Sequence, residues 1–237
     1  MTGRSLPKID RVSITDYNSP MSYIAERRGE EKERRRAEIL DAAEALYAKK
    51  GWDALTVEQV ARSARLSRAL VYVYFRDKEE LLFAIGERAM SLLRDRFEAA
   101  AAGHALGLDK VEAVGRAYMG YAHEFPHYFD FCTRFQAHSV AVDPGSHEGA
   151  CRATGDEVMG VVVRAIEAGI ADGSIRPDIG QPVLFATTLW AFTHGVIQLA
   201  MAKSSDLARF GIAVPDMSNY AFGLIRTVAQ NAASRKA

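Results

Sequence analysis

Apolar residues recur at helical spacing over stretch after stretch of this 237-residue chain, and no segment sustains the two-residue alternation of a half-buried strand. The short apolar run 158–163 could be read as a strand, but helical patterns flank it on both sides. A buried helix therefore accounts for it better. The periodicity predicts helices over about 32–50, 57–64, 68–74, 78–102, 107–124, 127–139, 148–171, 181–203 and 217–234. Long helices joined by short links pack as an all-α bundle. Residues 1–25 mix Pro, Ser, Asp and Arg without a period and read as a mobile arm.

Composition narrows the classes. Apolar residues make up 49% of the chain and charged residues 25%, which is globular rather than disordered. Thirty basic side chains balance thirty acidic ones, so no bulk positive charge points to nucleic acid. Cys132 and Cys151 form no CxxC pattern and no Cys/His cluster, which argues against a stapled secreted domain and a structural zinc site. They read as ordinary buried thiols. His123 and His127 have metal-ligand spacing, but Pro126 interrupts the helix that would align them. No metal or cofactor is expected. No apolar run approaches the roughly 20 residues that span a bilayer, and the N-terminus lacks the apolar core of a signal peptide. The expected setting is the cytoplasm. GxSxG, P-loop and GxGxxG motifs are absent and no carboxylate pair is evident, so no catalytic residue is assigned.

The most informative stretch is 56–78, TVEQVARSARLSRALVYVYFRDK. Thr56 can cap a helix whose third residue is Gln59, a capping box. Val57, Val60 and Ala61 then recur toward a core. After a very short turn, Ser67 can cap a second helix that buries Leu70 or Val71 and presents Tyr72 and Tyr74. So tight a turn forces a steep crossing, with the small Ala61 at the close approach and Leu66 beneath the turn. This is the plan of a helix-turn-helix whose second helix enters the major groove. Between Gln59 and Arg76 stand four basic residues (Arg62, Arg65, Arg68, Arg76) and no acidic one, whereas 26–80 as a whole holds thirteen basic and twelve acidic. Positive charge is thus confined to the proposed recognition unit, where phosphate contacts need it.

The span from about Arg34 to Leu93 resembles the DNA-binding domain of the tetracycline-repressor (TetR) family of transcriptional regulators. Ile39, Ala42, Ala43, Leu46, Gly51, Thr56, Val60, Ala61, Ala64, Leu66 and Ser67 carry the resemblance, with Tyr72, Tyr74, Phe75, Lys78, Leu81 and Leu82. It implies that Thr56, Ser67, Arg68, Tyr72 and Lys78 lie at the phosphates or in the groove, with Tyr74 at a phosphate and Phe75 buried. Arg65 stands where the family often has Gly, and Ala69-Leu70 replaces its usual Gly-Thr or Gly-Ala pair. A non-Gly residue in a left-handed turn costs about 1 kcal/mol. The apolar replacement suits a thymine methyl better than a hydrogen-bonding base edge.

The resemblance divides the chain into the arm (1–25), a DNA-binding domain (26–93, with the motif at about 57–76) and an effector-binding and dimerisation domain (94–237). In the last of these, Tyr118, Tyr121, Phe125, Phe129 and Phe135 fall in an aromatic-rich segment broken at Pro126 and are candidates to line a ligand cavity. Trp190, His194 and Gly195 resemble a Trp…His-Gly pattern of one subgroup, which adds Trp190 and His194 to the candidates. Helices 181–203 and 217–234 are the expected two-fold seam, through Leu189, Thr193, Val196 and Ala200 on one and Tyr220, Leu224 and Val228 on the other. The reading is a ligand-responsive repressor that binds a palindromic double-stranded operator as a homodimer and takes a small apolar or aromatic effector. An all-α carrier or enzyme using the aromatic cavity, and a partner-binding relative without DNA affinity, stay open. So does a role for Arg4, Lys8 and Arg11 as an arm on DNA.

Overall fold

The structure, a computed structural model, describes residues 20–134 and 142–230. Ten helices run through them: α1 (Pro20–Lys50), α2 (Val57–Ser63), α3 (Arg68–Tyr74), α4 (Lys78–Ala102), α5 (Gly107–Glu124), α6 (Pro126–Arg134), α7 (His147–Asp172), α8 (Pro182–Ala202), α9 (Ser204–Arg209) and α10 (Val214–Ala229). The β-structure among the described residues is one isolated bridge between Ile175 and Gln230. An all-α head, α1 to α3, leads into a larger helical bundle.

Three boundaries differ from the periodic reading. Helix α1 begins at Pro20 instead of about 32, taking in the end of the expected arm. Its first turns carry no apolar stripe, and Glu31 pairs with Arg34 and, at 3.3 Å, with Arg35, which also reaches Glu38 at 2.8 Å. Such pairs at three- and four-residue spacing support an exposed helix that periodicity does not reveal. A short extra helix, α9, follows α8, and α10 opens at Val214 with Pro215 in its first turn. Residues 1–19 of the arm and 135–139 of the sixth predicted helix lie outside the described residues.

One buried cluster runs through both halves of the molecule. It joins Ile39, Leu40 and Ala43 of α1, Val60 and Ala61 of α2 and Val71 of α3 to Tyr118 and Tyr121 of α5, Phe131 of α6 and Val161 of α7. Helix α4 threads it with Leu81, Ile85, Ala89, Leu93 and Phe97, a stripe at four-residue spacing that passes unbroken through the boundary drawn at 93/94.

Helix α5 crosses α7 backbone to backbone. A Cβ on Gly107 would stand 2.0 Å from the Gly169 nitrogen. At this contact Gly107 N–H donates to Asp172 Oδ2 (2.7 Å) and Leu108 N–H to Ser174 Oγ (3.1 Å), while Leu106 at the cap position supplies no side-chain bond. The start of α5 is therefore capped by the end of α7, across the bundle.

Helix α8 corrects an expectation. Its 21 residues carry no Asp, Glu, Lys or Arg, so in length and composition it could cross a bilayer. Ala186, Thr193, Val196 and Ile197 face into the bundle, while Leu184 (64% exposed) and Leu199 (50%) stand outside. The crossing at Gly107 predicts that Gly107→Ala lowers unfolding stability by about 1–3 kcal/mol through overpacking. Gly120→Ala, on an exposed turn of α5 with open space around it, should raise it by about 0.5–1 kcal/mol. Urea midpoints at unchanged slope would measure both.

Candidate nucleic-acid interface and bundle cavity

Helix α2 starts as its sequence directs. Thr56 Oγ1 accepts from Gln59 N–H at 3.3 Å, and Gln59 Oε1 accepts from Thr56 N–H at 3.4 Å. The turn after it is closed by Arg65 N–H to Arg62 O (3.2 Å) and Leu66 N–H to Ala61 O (2.8 Å). Arg65 takes φ +57°, the left-handed conformation that suits glycine. Ser67 then caps α3, its Oγ accepting from Leu70 N–H at 3.1 Å.

The seating of α3 decides what it presents. Val71 and Phe75 are buried, Leu70 and Tyr74 are half-buried, and Ala69, Tyr72 and Val73 stand outside. Arg68 donates to the Tyr72 hydroxyl at 3.2 Å and its guanidinium lies 5.4 Å from that ring. Arg68, Ala69 and Tyr72 thus share an exposed face with Thr56, Arg65 and Ser67 nearby in sequence and also exposed. Leu70 and Tyr74 sit on its half-buried flank. Lys78 turns inward: its ammonium donates to Trp52 O (2.7 Å) and lies 4.6 Å from the Trp52 ring. Burial holds that amine below its ordinary range. Sequence reasoning passed over Val73, the most exposed large apolar side chain of α3 at 71%. Its spacing four residues after Ala69, opposite Val71, was the available signal.

Polar contacts seat this head on the bundle. Tyr47 of α1 donates to Asp130 of α6 (2.9 Å), and Tyr128 of α6 donates to Glu44 of α1 (2.7 Å). Arg88 of α4 bridges Asp41 (2.6 Å) and Glu44 (3.3 Å). At the start of α7, His147 meets Arg36 at 2.8 Å, with its ring 6.0 Å from that of Phe75, the residue that ends α3. Burial, then the Asp130 carboxylate, raises the Tyr47 hydroxyl far above the ordinary phenol range, so it remains a donor.

Inside the bundle lies a cavity of about 400 Å³, walled by α4, α5, α6, α7, α8 and α10. Its lining is mainly apolar and aromatic, including Phe97, Tyr118, Phe131, Trp190 and Phe222, with Glu112, Arg152 and Asp156 as charged members. Cys132 and Cys151 also line it, each thiol pushed up to about 12, chiefly by burial, so neither is a ready thiolate.

Of the seven expected cavity residues, Tyr118 and Trp190 are in the wall. Tyr121 is not: it is buried behind the wall, with its hydroxyl donating to Ala89 O at 2.9 Å. Phe125 instead stacks on Tyr128 (5.6 Å) beneath Arg96, and Phe129 on His194 (4.6 Å). His194 stands behind Tyr118, Nδ1 sharing a hydrogen bond with that hydroxyl at 2.8 Å, and its other nitrogen lies 3.4 Å from Thr133. Phe135 lies outside the described residues. The aromatic-dense segment supplies Tyr118 and Phe131 to the wall, but inward-facing period alone does not separate cavity wall from the packing behind it.

The expected seam also needs correcting on α8. Thr193 and Val196 are buried within the chain, Leu189 lines the cavity and Ala200 is half-buried. The exposed apolar residues of α8 are instead Val183, Leu184, Trp190, which also lines the cavity, Phe192, Leu199 and Met201, with Gly195 among them. On α10, Tyr220 (71% exposed), Leu224 and Val228 do face out. Apolar residues surround α8 almost completely, so its period could not say which side turned inward.

Burial lowers the His194 pKa below its ordinary 6.5, and that of His127, where Glu44 opposes the shift, in the same direction. The unfolded chain therefore takes up protons first on acidification, and stability is lost as pH falls below about 6.5. The unfolding midpoint should drop between about pH 7 and 5.5, with a shallower slope in His194→Gln and the remainder due in part to His127.

Comparison with known proteins gives matches to both halves. The family model for bacterial regulatory proteins of the tetR family matches residues 39–85, and one for a tetracyclin repressor-like C-terminal domain matches residues 111–212. The transcriptional repressor NicS of Pseudomonas putida is 28% identical over 160 residues, 64% of this chain and 71% of that one. The regulator HbdR of an Aromatoleum species is 43% identical over 51 residues, so the match spans only 22% of either chain. Among solved structures, a Rhodococcus protein of unknown function superposes with a TM-score of 0.70 at 24% identity, covering 83% of this chain and 96% of that one. FadR of Bacillus subtilis, solved in complex with stearoyl-CoA, superposes at 0.61 and 15% identity, covering 82% and 99%. At these identities the superpositions establish the fold.

Proposed function

Because the chain belongs to the tetR family of bacterial regulatory proteins, we propose that it is a homodimeric repressor whose grip on DNA is controlled by a small apolar or aromatic effector. The observation that carries the DNA reading is the capped, rigidly seated α3, with Val71 and Phe75 locked inward and the Arg68–Tyr72 pair turned out. Each subunit would place 68–75 in the major groove of one half of a palindrome. Half-sites would then be spaced at about 34–36 Å or a multiple of it. Arg65 and Arg68 would meet phosphates, and Thr56 and Ser67 would hold helix ends at the backbone. Lys78 would act by tying α4 to the loop at Trp52 rather than by direct contact.

The exposed apolar sides of α8 and α10 support a two-fold seam, since so large a face on a free monomer would be open to nonspecific association. Gly195 and Gly223 on those sides allow close approach. The cavity's size and apolar lining support the effector, and the FadR neighbour, of the same fold, is solved in complex with stearoyl-CoA. Phe131 and Cys132 of α6 wall the cavity, while Tyr128 and Asp130 of the same helix bond α1. An effector that favours one setting of α6 would favour one setting of the heads, with a coupling of about 1–3 kcal/mol.

Selection of bound duplexes from a random pool, run beside Arg68→Ala, tests the DNA reading. Wild type should enrich a palindrome and the variant should not; no enrichment, or the same enrichment by both, would refute it. Each lost arginine–phosphate contact should reduce the salt slope of binding by about 0.9. Gly155→Phe tests the cavity. Residue 155 lines it, and a Cβ there meets nothing within 4 Å. The variant should keep duplex binding and lose release by any small aromatic or aliphatic compound that releases wild type.

A further inference from the structure

We propose that Val73, with Ala69 beside it, reads the 5-methyl group of thymine in the major groove and sets the base preference at the centre of each half-site. This rests on the reading above that α3 enters the groove. Val71 and Phe75 are buried at 0% and 1% exposure. The positions opposite that stripe on a helix of 3.6 residues per turn are 69 and 73. These two positions point most directly away from the head.

Both are apolar. Val73 is 71% exposed, more than any other large apolar side chain described between residues 20 and 182. A β-branched residue at an open helical position contributes nothing to packing and is a slightly poor helix former, so the fold itself gives no reason for it. Neither side chain can donate to or accept from a base edge. Among the groups that base pairs display in the major groove, the thymine methyl is the apolar one. The neighbouring polar groups leave that choice intact. Arg68 and Tyr72, on one flank, bond each other at 3.2 Å, and Leu70 and Tyr74, on the other, are half-buried in the head. Leu70, which the sequence alone made the candidate for a methyl contact, is therefore displaced from the centre by Val73. Four residues of helix advance about 6 Å, so Ala69 and Val73 would meet methyls one or two base steps apart.

The test takes the full-length protein and the duplex that wild type selects, and replaces each thymine singly by deoxyuridine. That change removes a methyl and keeps every hydrogen-bonding group. At one or two positions per half-site, wild type should lose about fourfold in affinity for each methyl, the factor expected for one buried carbon. Val73→Ala should bind the unmodified duplex weaker by a similar factor. At the thymine beneath residue 73 it should lose little more on deoxyuridine substitution. Because residue 73 is exposed, the variant's thermal midpoint should match wild type, which separates lost reading from lost folding. Affinity unchanged by deoxyuridine at every position would overturn the proposal. So would penalties of Val73→Ala and deoxyuridine that multiply independently at every position. Selective duplex binding with either result leaves the regulator reading standing and removes this one. Failure to enrich any duplex removes both.

Discussion

The contact on which most of this structure depends is the ring of Phe131 against Gly86. A Cβ at residue 86 would stand 2.1 Å from that ring, so only glycine lets α6 settle onto α4. Once settled, this helix of nine residues serves two neighbours. Phe131 and Cys132 contribute to the cavity wall. Asp130 and Tyr128 meet the hydroxyl of Tyr47 and the carboxylate of Glu44 on α1. Cavity wall and head support thus come from one short helix, so a shift of that helix moves both.

Apolar burial and polar bonding divide the labour between them. Helix α4 carries a continuous buried stripe from Leu81 to Phe97, which makes head and bundle a single core. The attraction that produces it is non-directional and tolerates small sliding. The seam beside it is polar, where Arg88 bridges Asp41 and Glu44, and His147 meets Arg36 and Glu87. Hydrogen bonds of this kind are sensitive to distance and angle, so the seam favours discrete arrangements of head on bundle. Most ion pairs elsewhere, such as Arg62–Glu58, are exposed and contribute at most about 1 kcal/mol each. Charge placement therefore matters more here than the zero net charge of the whole chain.

The cavity follows from the same economy of small residues. Gly107 admits the backbone of α7 at Gly169, and Gly115 makes room for the Phe222 ring of α10. These close approaches draw α7 and α10 against α5 at two points along its length. At Gly155 no atom fills the corresponding space, and the helices enclose a void instead. Tyr118, hydrogen-bonded to His194, and Trp190 give its wall a polar edge within an aromatic surface.

Local hydrogen bonding was legible in the chain. Thr56 with Gln59, Ser67 with Leu70 and the left-handed stop at Gly51 each involve groups a few residues apart, and the helix-turn-helix was therefore readable. The nine helices read from the period stand against ten among the described residues for the same reason. Other features depended on partners far along the chain. The cap on α5 comes from Asp172 and Ser174, more than sixty residues away. The inward side of α8, the placing of Tyr121 and Phe129 behind the cavity rather than in it, and the emergence of Val73 over Leu70 were likewise decided by tertiary packing. Hydrophobic burial has no direction of its own, so a helix that is apolar on every side turns toward whichever neighbours the rest of the fold sets against it.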